Sequence, residues 1–172
     1  MEKDMDFLDL AAKRYSVRKF KETQVPQESI EKILMAANAA PTAHNNQPQE
    51  IIVVRTQDGL QALKKCTECH YNAPLAFLIC YDKNKSWKRS YDGEDSGVVD
   101  ASIVTTHMML EATELGLGST WIMYFIPEAL RVELALPASC EPVAILLVGY
   151  ADDAPSQAHF HRRNFKDCVS YR

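Results

Sequence analysis

The sequence predicts a single domain, residues 1–172, of the α+β or α/β class with a central sheet. A length of 172 residues with 47% hydrophobic and 24% charged content is sufficient for one domain with a substantial core. Short apolar, β-branched runs are separated by segments whose apolar residues recur every three or four positions, which is typical of strands alternating with helices. No internal repeat, low-complexity segment or linker interrupts this pattern.

The first half of the chain predicts two helices before the first strand. Residues 5–14 have apolar residues at helical spacing, and the polar extended stretch SVRKFKETQV follows. Pro26 suits the first turn of a second helix, which Pro41 ends. The aperiodic loop PTAHNNQPQ then leads into the strand EIIVVRT, the helix DGLQALKKC and the buried strand PLAFLICYD.

The second half predicts one long helix, two strands and a short helix between them. The polar loop KNKSWKRSYDGEDSG precedes a helix over 98–115, and Gly116 suits the position just after its end. STWIMYF is predicted to be a strand, PEALRVELAL a helix opened by Pro127, and EPVAILLVGYA the last strand. Residues 154–172 show little periodicity.

Charged residues are unevenly distributed along the chain. The net charge of −4 argues against a nucleic-acid partner. Two segments are nevertheless basic, and their members are Lys13, Arg14, Arg18, Lys19 and Lys21 in the first, and His159, His161, Arg162, Arg163 and Lys166 in the second. Either cluster alone is adequately explained as a solvated surface. If the fold brings them together, they would suit a small dianion such as a phosphate.

The N-terminal segment MEKDMDFLDLAAKRY has acidic residues among its apolar ones, so it predicts an amphipathic helix and no signal peptide. No apolar run approaches the roughly eighteen residues needed to span a bilayer. We therefore expect a cytoplasmic protein with no membrane partner.

The segment CTECH, residues 66–70, matches the C-x-x-C-H pattern of covalent haem attachment and also suggests half a zinc site or a redox pair. A cytoplasmic location argues against covalent haem attachment, because this kind of attachment takes place in exported proteins. No second pair of cysteines or histidines is spaced to complete a zinc site. The five cysteines are an odd number, and reduced thiols are the default in the cytoplasm. We therefore predict no metal ligands.

Four motifs, in order along the chain, resemble the nitroreductase family of flavoproteins. RYSVRKF is similar to its N-terminal signature, and PTAHNNQP to the loop after its second helix. DASIVTTHMMLEATELGLGSTWI resembles its long helix and the following G-L-G-x-x-W-I turn. LLVGYADD and HRRNFKD are similar to its last central strand and basic tail. One motif alone would be weak, but four in register cover nearly the whole chain.

This resemblance implies an α+β, nitroreductase-like fold with a central mixed, mostly antiparallel sheet flanked by helices. It also implies an intertwined homodimer that binds FMN at the subunit interface and uses NAD(P)H as reductant. The expected function is an FMN-dependent oxidoreductase that reduces nitroaromatics, quinones or related small electrophiles by ping-pong hydride transfer through flavin N5. Because the cofactor carries out this chemistry, we expect no catalytic acid or base from the protein.

The resemblance also assigns residues. Arg14 and Ser16 would hold the flavin phosphate with Arg162 or Arg163, and Arg18 would lie near flavin N1 and the C2 carbonyl. The 41–48 loop would reach the flavin of the other subunit, with His44 and Tyr124 near the substrate. The expected cofactor-binding residues are Arg14, Tyr15, Ser16, Arg18, Pro41, Thr42, Ala43, Asn45, Cys66, Ile122, Met123, Arg162 and Arg163.

Two questions remain open at this point. The chain could be a flavin-binding carrier or sensor without turnover, since such a protein would share the same motifs. Cys66 could face the pyrimidine edge of the flavin near Arg18, with a lowered thiol pKa, or Cys66 and Cys69 could be reduced thiols without a role.

Overall fold

The computed structural model describes residues 6–172. Its α-helices are α1 (Phe7–Lys13), α2 (Gln27–Asn38), α3 (Gln57–Lys64), α4 (Gly97–Glu114), α5 (Pro127–Glu133) and α6 (Gln157–Phe160), and its strands are β1 (Gln49–Val54), β2 (Leu75–Asp82), β3 (Gly118–Ile122) and β4 (Cys140–Gly149). Short 3₁₀ turns occupy Ala43–Asn45 and Phe165–Asp167. In this part of the chain no helix is long and apolar enough to cross a membrane.

The four strands form one sheet in the order β1-β2-β4-β3, and each neighbouring pair is antiparallel. The predicted mixed character is limited to an isolated parallel bridge between Ser16 and Ser119. This bridge places the segment after α1 beside the edge strand β3, where the Val17 amide donates to the Ser119 carbonyl at 3.0 Å. The sheet thus holds the N-terminal basic segment at its β3 edge.

Helices α2 and α4 cover one face of the sheet. Ile33 of α2 and Met108 of α4 are fully buried, and they pack in one cluster with Phe77 of β2 and Leu146 of β4. Gly97, at the start of α4, lies against the ring of Tyr81 and leaves no room for a β-carbon. This contact lets the N-terminus of α4 approach β2 closely.

Helices α3 and α5 cover the opposite face, together with the segment after α1. Leu63, Leu130 and Val17 have almost no exposed surface and pack with Leu78 and Leu147 of the central strands. Strands β2 and β4 are therefore buried on both faces, which explains their nearly continuous apolar sequences. The predicted α+β architecture, a central sheet flanked by helices, is confirmed.

The predicted elements are all present, but several of them end at other residues than predicted; the helix predicted over residues 127–136, for example, ends at Glu133. α2 lies between Pro26 and Pro41 as predicted, and Gly116 follows α4 with a φ of 73°. The predicted strand STWIMYF is too long, because β3 ends at Ile122 and the chain then turns toward residues 66–67. The predicted start of the first helix at Met5 lies outside the described residues, and α1 runs from Phe7.

Candidate functional site

The structure brings the two basic segments together around one cavity of about 220 Å³. The segment after α1 forms one side of the cavity and the region of α6 forms the other. Its lining residues are Arg14, Tyr15, Ser16, Arg18, Ser156, Ala158, His159 and Arg162. The cavity therefore joins positions that are more than 130 residues apart in the sequence.

Asp153 holds the two sides of this cavity in place. Its Oδ2 accepts the Arg18 backbone N–H at 2.8 Å, and its carbonyl accepts the Tyr15 hydroxyl at 2.9 Å. Burial, followed by the charge of Asp153, raises the pKa of Tyr15, so the phenol stays protonated and donates this bond. His159 completes the contact with α1 through Nε2, which lies 3.1 Å from the Ala12 carbonyl oxygen.

The cavity has an excess of positive charge. Within residues 6–172, no carboxylate forms a salt bridge with Arg14, Arg18 or Arg162. Lys19, from the same basic segment, pairs instead with Asp152 at 2.6 Å. Guanidinium groups that share a cavity and have no carboxylate as salt-bridge partner form a suitable site for a phosphate.

The structure separates the two C-terminal arginines that the sequence could not distinguish. Arg162 lines the cavity. Arg163 does not, and its Nε instead donates to the Cys168 thiol sulfur at 2.8 Å. The geometry therefore favours Arg162 as the residue that would meet an anion beside Arg14.

A polar path leads from Arg18 to a second cavity. Tyr71 lies close to both Cys69 and Arg18, and its pKa is raised mainly by burial and then by Cys69, with Arg18 opposing. The Cys69 amide donates to Thr67 Oγ1 at 3.0 Å. The Thr67 hydroxyl donates in turn to the Tyr124 carbonyl at 2.6 Å. These contacts connect the basic cavity with the end of β3.

The second cavity, of about 320 Å³, lies between the end of α3 and the segment after β3. Its lining residues are Lys64, Lys65, Cys66, Thr67, Glu68, Tyr124, Phe125 and Ile126. Met123 and Tyr124 are 68% and 71% exposed, so their side chains are available to a ligand. Ile122 is buried in the core, so only its backbone could meet a cofactor.

The structure distinguishes the two alternatives for Cys66. Its side chain has no exposed surface, and its thiol donates to the Ala62 carbonyl at 3.3 Å. Burial, and to a lesser degree the charge of Glu133, raises the pKa of the thiol. The alternative of a lowered thiol pKa is therefore wrong, and a buried, reduced thiol agrees with the other alternative. Cys69 is the cysteine of CTECH that approaches Tyr71, the neighbour of Arg18.

The loop 41–48 lies against the N-terminal end of α4. The carboxylate of Asp100 accepts the Ala43 backbone N–H at 2.8 Å, and Thr42 Oγ1 accepts the Gln47 N–H at 3.0 Å. The Ala43 backbone N–H is therefore already occupied by Asp100, so any contact of this residue with a cofactor would be made by its other atoms. His44 is exposed and stacks on Trp87, with ring centroids 5.3 Å apart. Pro41 is also exposed.

Sequence reasoning missed Asp153, Tyr71, Asp100 and Trp87. The contacts of Asp153 and Asp100 span 135 and 57 residues, respectively, and no local pattern signals them. The one usable signal was the position of Asp100 in the first turn of a predicted helix, where a carboxylate is common. Trp87 lies in a loop that the sequence identifies only as polar.

Comparisons of this chain with a family model and with solved structures all indicate the nitroreductase family. The model of the nitroreductase family matches residues 11–71 and 68–150. A nitroreductase family protein of Clostridium difficile 630 is 46% identical and has a TM-score of 0.93, over 97% of this chain and 98% of that one. An FMN-dependent nitroreductase of Clostridium difficile R20291 is 32% identical with a TM-score of 0.76, over 94% of each chain.

The similarity extends to more distant relatives of known sequence. The FMN reductase [NAD(P)H] of Bacillus subtilis is 28% identical over 159 residues, which cover 80% of this chain and 63% of that protein. The family match covers most of the chain, and both the order of the elements and the position of the basic cavity agree with the four sequence motifs. The chain belongs to the nitroreductase family.

Proposed function

We propose that this protein is an FMN-dependent oxidoreductase, a homodimer that accepts hydride from NAD(P)H and delivers it to nitroaromatics, quinones or related small electrophiles by a ping-pong sequence. Family membership and relatives named FMN-dependent nitroreductase and FMN reductase [NAD(P)H] support this function. The single observation that carries it in this chain is the cavity where three arginines converge without a carboxylate partner in residues 6–172.

The phosphate of FMN fits the basic cavity. Arg14, Ser16 and Arg162 all line this cavity, so they bring two guanidinium groups and one hydroxyl to the same site. Charge-assisted hydrogen bonds to a dianion are stronger than hydrogen bonds between neutral groups, and one guanidinium group can donate two parallel hydrogen bonds to a phosphate. We therefore assign these three residues to the phosphate and leave Arg163, which contacts Cys168, outside the site.

The flavin ring would extend from this cavity along the path through Arg18 and Tyr71. When bound, FMN supplies hydride acceptance and donation at N5. Arg18 is the cation nearest the proposed pyrimidine edge, and a fixed positive charge there stabilises the negative charge that reduction places on the ring. Tyr71 lies beside Arg18, and the Arg18 side chain is held by a hydrogen bond from Nη1 to the Ser16 carbonyl at 3.2 Å.

The exposed Met123 and Tyr124 would border the ring face on which nucleotide and acceptor bind in turn. The bulk of these two side chains would narrow the binding space over that face of the flavin ring and favour small, planar acceptors. Thr42, Asn45 and His44 would approach from a second chain, because the loop that carries them lies against α4 rather than beside Arg14. A site completed by two chains requires a dimer.

Exposed apolar surface supports the dimer. Val98 and Val99 are 48% and 60% exposed at the start of α4, and Phe165 is 66% exposed in a C-terminal segment that is exposed throughout residues 160–172. A second copy of the chain would cover these apolar surfaces.

Initial-rate kinetics test the proposal. With NADH or NADPH varied at several fixed quinone concentrations, a ping-pong enzyme gives parallel double-reciprocal lines. FMN should be released on denaturation at one molecule per chain. A protein that binds FMN but shows no turnover with either nucleotide and any nitro or quinone acceptor would be a flavin carrier and would contradict the proposal.

A further inference from the structure

The loop 41–48 has an unfavourable backbone conformation. Three of its residues other than glycine have a positive φ, with values of 52° for His44, 55° for Asn45 and 49° for Gln47. The left-handed region costs free energy for residues with a β-carbon, although asparagine tolerates it better than most. Such a conformation persists only where surrounding contacts determine it. The structure contains two such contacts.

The first contact is the carboxylate of Asp100, which is only 2% exposed. Its Oδ1 accepts the Ala43 N–H at 2.8 Å, and its Oδ2 accepts the Ser96 hydroxyl at 2.7 Å. Because both oxygens have a partner, the carboxylate has one orientation. Asp100 therefore fixes the loop at the residue before the left-handed pair.

The second contact is the indole ring of Trp87. It stacks on the His44 imidazole at 5.3 Å with an interplanar angle of 22°. Trp87 begins a hairpin that is closed where its carbonyl accepts the Ser96 amide at 2.9 Å. Ser96 thus contacts Asp100 through its hydroxyl and Trp87 through its backbone, so the two contacts form one connected unit.

These contacts leave the loop's polar side chains available. The Thr42 hydroxyl oxygen accepts from Gln47, so its own proton remains free to donate. Among residues 6–172, neither the Asn45 side-chain amide nor the His44 ring forms a hydrogen bond. A loop that is already held by these contacts, with hydrogen-bonding groups still free, has lost conformational entropy before a ligand arrives, which favours binding.

We propose that Asp100 and Trp87 are positioning residues that hold the 41–48 loop in its binding conformation, so that Thr42 and Asn45 meet FMN and His44 meets the oxygen atoms of a nitro or quinone acceptor. The identity of these ligands rests on the proposed function. The preorganisation of the loop does not, and it can be measured on the apoprotein.

The first experiment measures hydrogen exchange of the Ala43 amide in the apoprotein. Asp100→Ala removes the acceptor, so protection of this amide should fall at least tenfold, whereas Asp100→Asn keeps an acceptor oxygen and should retain most of it. Asp58→Ala is the matched control, because Asp58 is an exposed carboxylate in the first turn of α3, as Asp100 is a buried one in α4. Equal protection in wild type and Asp100→Ala overturns the proposal.

The second experiment changes Trp87, which is only half-buried, so its replacement is compatible with folding. Trp87→Ala should raise the KM for a quinone about tenfold and leave kcat/KM for the nucleotide within twofold of the wild-type value. Trp87→Phe retains an aromatic ring that can stack on His44, so its quinone KM should return to about the wild-type value. A quinone KM for Trp87→Ala within twofold of the Asp58→Ala control overturns the role of His44. A wild-type protein that binds no FMN refutes the proposed function, and the exchange experiment still decides the role of Asp100.

Discussion

Replacing Arg162 and Arg163 separately tests the proposed phosphate site. Arg162 lines the basic cavity with Arg14 and Ser16, whereas the Arg163 side chain contacts the Cys168 sulfur. Arg162→Ala should therefore weaken FMN binding, and Arg163→Ala should leave it nearly unchanged. The two variants lose the same charge from adjacent positions, so each controls for the other.

The size of the effect follows from the environment of Arg162. A hydrogen bond to a charged group contributes about 1.5–3 kcal/mol, and each 1.4 kcal/mol corresponds to a tenfold change in affinity. Arg162 is exposed in the single chain, so solvent screening places the expected loss near the lower end, about tenfold. Arg162→Lys keeps the charge but loses the paired donors, so its affinity should be intermediate.

The assay is a titration of FMN into each apoprotein, followed by quenching of flavin fluorescence. Repeating it at higher salt should reduce the difference between wild type and Arg162→Ala, because ions screen the interaction with the phosphate. The reasoning is refuted if Arg163→Ala weakens FMN binding as much as Arg162→Ala does. It is also refuted if neither change alters the affinity.

Three further predictions concern thiol reactivity, assembly and packing. Alkylation followed by mass mapping should modify the exposed Cys168 first. Cys66 should stay unmodified with or without FMN, because it is buried and burial raises the pKa of its thiol. Rapid labelling of Cys66 in the native protein would contradict this prediction. Sedimentation should show one species near twice 19.4 kDa, and an active, flavin-bound monomer would exclude the dimer. Gly97→Ala should lower the free energy of unfolding, measured in urea, by about 1–2 kcal/mol, because its β-carbon would overlap the Tyr81 ring and this overpacking outweighs the gain in helix propensity. Unchanged stability would mean that the ring moves without cost.

The sequence predicted the elements of the fold well because their signals are local. Pro26 and Pro41 enclose α2, and Gly116 follows α4 in the left-handed conformation that glycine favours. The end of β3 was predicted less well. Its last residues were apolar enough for a strand, but the Tyr124 carbonyl and the Ile126 amide bond to the turn at residues 66–67 instead of to β4.

The candidate site was only partly predictable, because its contacts are distant in the sequence. The two basic segments could be found as clusters, and the resemblance gave a reason for them to meet. The choice between Arg162 and Arg163 depends on the local turn that directs Arg163 to Cys168. For CTECH, spacing alone could not show that α3 encloses Cys66 while Cys69 approaches Tyr71.

The central claim is that this chain binds FMN and cycles it between NAD(P)H and a small electrophile. The most direct measurement is an anaerobic titration of the purified, FMN-bound protein with NADH and with NADPH, followed by addition of a quinone. We expect at least one nucleotide to bleach the visible flavin band at one equivalent per FMN and the quinone to restore it. A flavin band that neither nucleotide changes would contradict the proposed function.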